Sequence, residues 1–161
     1  MRRAGLVVGL WLLTTSPCLG TTLLWMDVQE LTTKSTSVVM GRAISQRLLT
    51  AGPGVPLNRI SFEISRTLKG DLQGTIVVNN PGFPGAPAFN EGDELILFIY
   101  TRNDTHVLTG FQQGSFKIVT DSSGNRVLDR GMPSRQKSLA GHRSVDRLVS
   151  EILDAADRGR P

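Results

Sequence analysis

Residues 58–68 read NRISFEISRTL, with Ile60, Phe62 and Ile64 falling on one side and Ser61, Glu63 and Ser65 on the other. A period of two belongs to a half-buried β-strand and to no helix, so the chain must build at least one sheet that faces a core. The segment before it, 37–49 (SVVMGRAISQRLL), is rich in β-branched residues and carries Gly41 near its middle. It reads as a long strand with a bulge or sharp bend at the glycine. Residues 50–56 (TAGPGVP) have the composition of a turn. Residues 75–79 (TIVVN) give a third strand. Residues 94–100 (ELILFIY) form a nearly unbroken apolar run, the mark of a strand covered on both faces. Residues 106–109 pair back to it across Arg102-Asn103-Asp104. Residues 113–120 alternate around Phe116 and Ile118, and DSSGN at 121–125 turns the chain into a short strand at 126–128.

Helical spacing occurs only near the two ends. Residues 23–34 (LLWMDVQELTTK) place apolar side chains at 24, 28 and 31, with acids toward the start and Lys34 at the end. Residues 144–158 present Val145, Leu148, Val149, Ile152 and Leu153 on one face, with Ser144 as N-cap and Asp146 in the first turn. The intervening residues 131–143 (GMPSRQKSLAGHR) are polar and breaker-rich and read as a linker. Five to seven short strands with terminal helices imply a mainly β fold, a small barrel or a sandwich. Two long leading strands with a corner at Gly41 favour an OB-like closed β-barrel. The expected organisation is a barrel domain over 21–130 including the N-terminal helix, a linker over 131–143, and a separate C-terminal amphipathic helix over 144–158.

The first twenty residues read as an address. A basic start (Met1-Arg2-Arg3) precedes an apolar stretch at 4–15, and Ser16-Pro17-Cys18-Leu19-Gly20 supplies a breaker and small residues at −3 and −1 of a cut after Gly20. This is the pattern of a secretory signal peptide, too short to span a bilayer comfortably. The expectation is an exported chain, periplasmic or secreted, beginning at Thr21, with no integral membrane anchor after cleavage. Cys18 raises the alternative of lipidation, but Pro17 in place of a small residue argues against it. Cys18 is the only cysteine, so no intrachain disulfide is available. Loss of Arg2 and Arg3 leaves sixteen basic against fourteen acidic residues, a charge of +2 that calls for no nucleic-acid partner.

The order of motifs adds a resemblance. Ser37-Val38-Val39-Met40-Gly41-Arg42-Ala43, the strand end Leu68-Lys69-Gly70, the Pro/Gly loop, Phe89-Asn90-Glu91-Gly92-Asp93-Glu94, Leu95-Ile96-Leu97-Phe98 and a later glycine-containing hairpin follow one another over about residues 36–120. The arrangement resembles netrin-like modules and those of the tissue inhibitors of metalloproteinases. That resemblance implies an OB fold and a metalloprotease as partner. In those inhibitors an N-terminal cysteine reaches the catalytic zinc through its α-amine and carbonyl. Here Thr21 and Thr22 would occupy that place without a cysteine, so no inhibitory residue carries over by identity.

Other chemistry finds little support. His106 and His142 are the only imidazoles and have no metal-ligand spacing around them. No nucleophile sits in a catalytic motif, which points away from an enzyme and calls for no cofactor. Glu91, Asp93 and Glu94 make an acidic turn without the alternating spacing of a calcium loop. Asn103-Asp104-Thr105 fits an N-glycosylation pattern within an exposed turn. Stacking aromatics in a basic groove are missing, since Phe62, Phe98 and Phe116 read as core. The remaining candidates are loop residues that can contact a protein: Phe83 and Pro84 in the stiffened loop, Phe89 beside it, and Phe111 and Gln112 before the sixth strand. The sequence thus leads to a non-enzymatic exported protein-binding module, inhibitor-like toward a metalloprotease in its specific form. The alternative is a structural, envelope-associated module that docks a partner through its C-terminal helix.

Overall fold

A computed structural model describes residues 25–49, 56–82, 87, 89–129 and 144–159. The elements run α1 (Val28–Lys34), β1 (Ser37–Leu49), β2 (Leu57–Lys69), β3 (Thr75–Pro81), β4 (Glu94–Arg102), β5 (Thr105–Leu108), a 3-10 turn (Phe111–Gly114), β6 (Ser115–Thr120), β7 (Arg126–Asp129) and α2 (Val145–Arg158). Strands dominate, as the alternating patterns require, and the helices stand before the first strand and after the last. The proposed signal segment 1–20 and the linker 131–143 lie outside the described residues.

The strands among the described residues belong to one seven-stranded sheet in the order β1-β2-β3-β5-β4-β6-β7, and a further pairing of β1 with β4 joins five of them into a ring. β1 makes this possible by pairing on both edges: Val38 to Arg42 face β2 on one side and β4 on the other. Register shifts on β1 at Val38/Val39, Met40/Gly41 and Ala43/Ser45 bend it between the two partners. Gly41 lies at this bend, where a Cβ would fall 2.0 Å from the Glu63 carbonyl oxygen. Only a hydrogen in place of a side chain lets the two backbones approach so closely. The ring closes elsewhere by a single parallel pair, Val78 with His106.

The apolar run of β4 explains the two cores. Leu95, Leu97 and Ile99 join Val39, Ala43, Ile60, Phe62, Ile76, Val78, Phe89 and Leu108 in a cluster fed by all five ring strands. Ile96 and Phe98 point the other way, into a second cluster with Val28 and Leu31 of α1, Phe116 and Ile118 of β6, Leu128 of β7, and Val145, Leu148, Val149 and Ile152 of α2. Phe98 and Phe116 meet there with ring centroids 5.6 Å apart. β4 is therefore buried on both faces even though its neighbours β1 and β6 run antiparallel to it. Each such large side chain, fully withdrawn from water, contributes about 1.5–3 kcal/mol.

The helices correct two expectations. α1 begins at Val28 rather than near residue 23, because Asp27 takes the N-cap and its carboxylate accepts the Glu30 N–H at 2.7 Å. Its far end is closed by Lys69, whose Nζ donates to the carbonyls of Thr32 (2.6 Å) and Ser35 (2.8 Å). Partial burial there lowers the Lys69 pKa. α2 is not a separate appendage: its apolar face is buried in the second cluster against α1 and the sheet. That face is occupied within the chain, so docking of a partner on it would first require α2 to leave the core.

Candidate functional site

The predicted contact residues that the structure describes fall at two opposite ends of β1. Phe111 and Gln112 are at the end where α1 enters; Thr21 and Thr22 lie outside the described residues, a few positions upstream of Trp25. Phe89 is at the other end, and Gly82, which precedes Phe83 in sequence, lies there too, against Leu48 and Pro56. Ser37 and Leu48 are eleven residues apart on one strand, a span of up to about 35 Å. Phe83 and Pro84 lie outside the described residues. Phe89 is only 8% exposed and belongs to the ring core, with its N–H donated to Gln46 Oε1 at 2.9 Å. It is a packing residue rather than a contact residue.

At the α1 end the structure brings together residues that sequence alone kept apart. The N–H of Met26 donates to Oε1 of Gln113 at 2.7 Å, and Gln113 is 1% exposed. The Met26 side chain rests on Gly110, whose φ of +66° places the chain in the left-handed region. Phe111 follows with φ +56°, a conformation costing about 1–2 kcal/mol for a residue with a Cβ. Phe111 is 43% exposed, and Trp25, next to Met26 in sequence, is 48% exposed. The base beneath is held firmly: Ser35 Oγ donates to Leu31 O and accepts from the Thr109 hydroxyl, and Ser115 Oγ donates to the carbonyl of Gln112. The result is a ridge with two exposed aromatics on a fixed scaffold, at the point where the chain leads back toward Thr21.

Gln113 and Trp25 are the members of this ridge that sequence reasoning missed. Residue 113 reads as the start of an alternating strand, whereas the chain makes a 3-10 turn from Phe111 to Gly114. The succession Gly110-Phe111-Gln112-Gln113 carries no periodic signal, since the turn is set by two left-handed residues and a long-range bond.

Several titratable groups serve the structure. Asp93 accepts from Lys117 Nζ at 2.7 Å and from the Asn90 N–H at 2.9 Å. Burial pushes its carboxyl up, but the Lys117 hydrogen bond, the Asn90 N–H and the Lys117 charge outweigh that and hold it below the usual carboxylate range. The same turn is fastened to β1, where Gly92 N–H donates to Ala43 O and Ala43 N–H to Asp93 O. Glu94 pairs with Arg126. Asp93 and Glu94 therefore point at separate partners, and no group of three metal-ligating side chains occurs among the described residues. His106 hydrogen-bonds Thr101 Oγ1 through Nδ1 at 2.9 Å, and His142 lies outside the described residues. Because the folded pKa of Asp93 lies below its unfolded value near 3.8, its contribution is present above that value and lost as pH falls through the folded pKa. Asp93→Asn is expected to cost about 1 kcal/mol at pH 7, and urea titrations of the two proteins should converge as the pH falls through the folded pKa of Asp93.

Among the described residues no helix is long and apolar enough to cross a membrane. No protein-family model matches the chain, and no curated protein sequence matches it significantly.

Proposed function

We propose that this chain is an exported, non-enzymatic protein-binding module built on an OB-like closed barrel, inhibitor-like toward a metalloprotease in its specific form. The ring order β1-β2-β3-β5-β4, returned to β1, supports the barrel reading. The observation that carries the functional reading is the Met26–Gln113 bond, which fastens the chain just before α1 to the turn that begins with the exposed Phe111. A cut after Gly20 would free an α-amine on Thr21, four residues before Trp25 and within roughly 14 Å of it along the chain. An α-amine with an ordinary pKa near 8 keeps a useful fraction of its lone pair at neutral pH, and zinc accepts nitrogen ligands. The barrel would then hold the segment in one approach geometry, so that little chain entropy is lost on binding.

The test uses residues 21–161 with a free N-terminus, immobilised and exposed to envelope and secreted fractions. Retention of a zinc protease is expected, lost when one extra residue precedes Thr21. Phe111→Gly is expected to weaken retention at least tenfold. It should leave stability within about 1 kcal/mol, because relief of strain offsets the added unfolded-state freedom. Equal retention with and without the extra residue would remove the metalloprotease reading.

A further inference from the structure

The outward face of β1, β2 and β3 carries a second feature, distinct from the ridge. Inward positions on these strands are Asn58, Ile60 and Phe62 on β2 and Ile76, Val78 and Asn80 on β3, all buried. The outward positions form cross-strand rows fixed by register. Arg47 stands opposite Arg59, which stands opposite Asn79. On one side of this row lie Leu49, Leu57 and Pro81; on the other lie Ser45, Ser61 and Val77, with exposed Ile44 at the β1 bulge.

Two like charges directly opposite one another destabilise an antiparallel pair. All fourteen acidic side chains of the chain lie among the described residues, yet none forms an ion pair with Arg47 or Arg59. Arg59 reaches only the neutral Asn79, Nε to Oδ1 at 3.4 Å. The pair thus presents two unneutralised guanidinium forks, each matched to a carboxylate, with their Cβ atoms about 5 Å apart.

We propose that this face docks an extended acidic segment of a partner protein, whose carboxylate bridges Arg47 and Arg59 while apolar side chains two residues away on either side lie over Leu49–Leu57 and over Ile44–Val77. The spacing carries the argument. Successive rows on one face of a sheet are about 6.8 Å apart, the same repeat that separates alternate side chains of an extended peptide. A segment of the pattern apolar-x-acidic-x-apolar therefore fits all three rows in one register. A free phosphate would leave the flanking apolar rows unused. A nucleic acid would want stacking aromatics, and the exposed aromatics among the described residues, Trp25, Tyr100 and Phe111, all lie off this face.

The experiment titrates the isotope-labelled full chain with a capped peptide of sequence leucine-serine-glutamate-serine-leucine, and reads amide shifts by NMR. Shifts confined to the outward rows of β1–β3, and binding at least tenfold weaker when glutamine replaces the glutamate, are expected. Arg47→Glu is expected to abolish those shifts while raising the Tm by about 2–4 °C, since the carboxylate introduced there pairs with Arg59. Arg59→Gln should weaken the peptide with a smaller thermal gain, since it removes the like-charge repulsion but adds no ion pair. Equal shifts from the two peptides, shifts on another face, or tighter binding of inorganic phosphate or of a single-stranded oligothymidylate would overturn the proposal. None of those outcomes bears on retention of a protease at the Phe111 ridge, so the two readings stand or fall separately.

Discussion

Replacing Gly41 by alanine is expected to destabilise the chain by at least about 3 kcal/mol, seen as a collapse of the urea midpoint or as insoluble expression. The added methyl group would sit 2.0 Å from the carbonyl oxygen of Glu63 and 2.9 Å from Cε1 of Phe62. A flexible side chain could swing away from such a contact, but Glu63 O is main chain. Gly41 is paired at once with Ile64 of β2 and Leu95 of β4. Moving β1 off β2 would therefore pull on the β1–β4 pairing that closes the ring. The control is Gly159→Ala, where a Cβ would meet ordinary contacts at 3.6 and 3.7 Å. That change should fall within about 0.5 kcal/mol of the wild type. Equal urea midpoints for the two variants would mean that the close approach of β1 and β2 is not a requirement of the fold.

Deleting residues 141–161 is expected to unfold the protein rather than leave a folded barrel without its helix. α2 buries Val145, Leu148, Val149, Ile152, Ala155 and Ala156. Leu148 and Ile152 are 0% exposed. Leu148→Ala or Ile152→Ala alone should each cost about 2–5 kcal/mol. Removing the whole helix uncovers Val28, Leu31, Ile96, Phe98 and Phe116 as well, all members of the same cluster. A loss of that kind is comparable to the total stability of about 5–15 kcal/mol available to most domains. Circular dichroism melts of the truncated chain should show no cooperative transition. A sharp melt near the wild-type Tm would instead mean that the ring stands alone.

Where local pattern decided local structure, the sequence was readable. The alternation around Ile60, Phe62 and Ile64 predicts β2, and the β-branched run with Gly41 predicts β1 over 37–49, the residues it occupies. The unbroken apolar run of β4 predicts cover on both faces, which Leu97 and Phe98 receive from different clusters. Long-range geometry was not readable in the same way. Phe89 follows a Pro/Gly loop and looks free to project, but the Gln46 side chain takes its N–H and draws it into the ring core. The linker-like composition of 131–143 suggests an independent helix, but composition says nothing about where an amphipathic face finds its cover. Gln113 offers no local sign of burial; its partner is a main-chain N–H eighty-seven positions earlier. The facing arginines 47 and 59 meet only once the β1–β2 register is known.

The union of α1 with α2 sets the order in which the molecule can be completed during synthesis. The second cluster takes contributions from one of the first elements made and from the last. Until residues 145–158 have left the ribosome, Ile96 and Phe98 on β4 lack part of the layer that covers them. A nascent chain in that condition exposes an apolar sheet face and gains its remaining long-range contacts late. A growing copy in that interval exposes apolar surface of the kind that holdase chaperones bind. The length of that interval is set by how quickly the ribosome delivers the final helix.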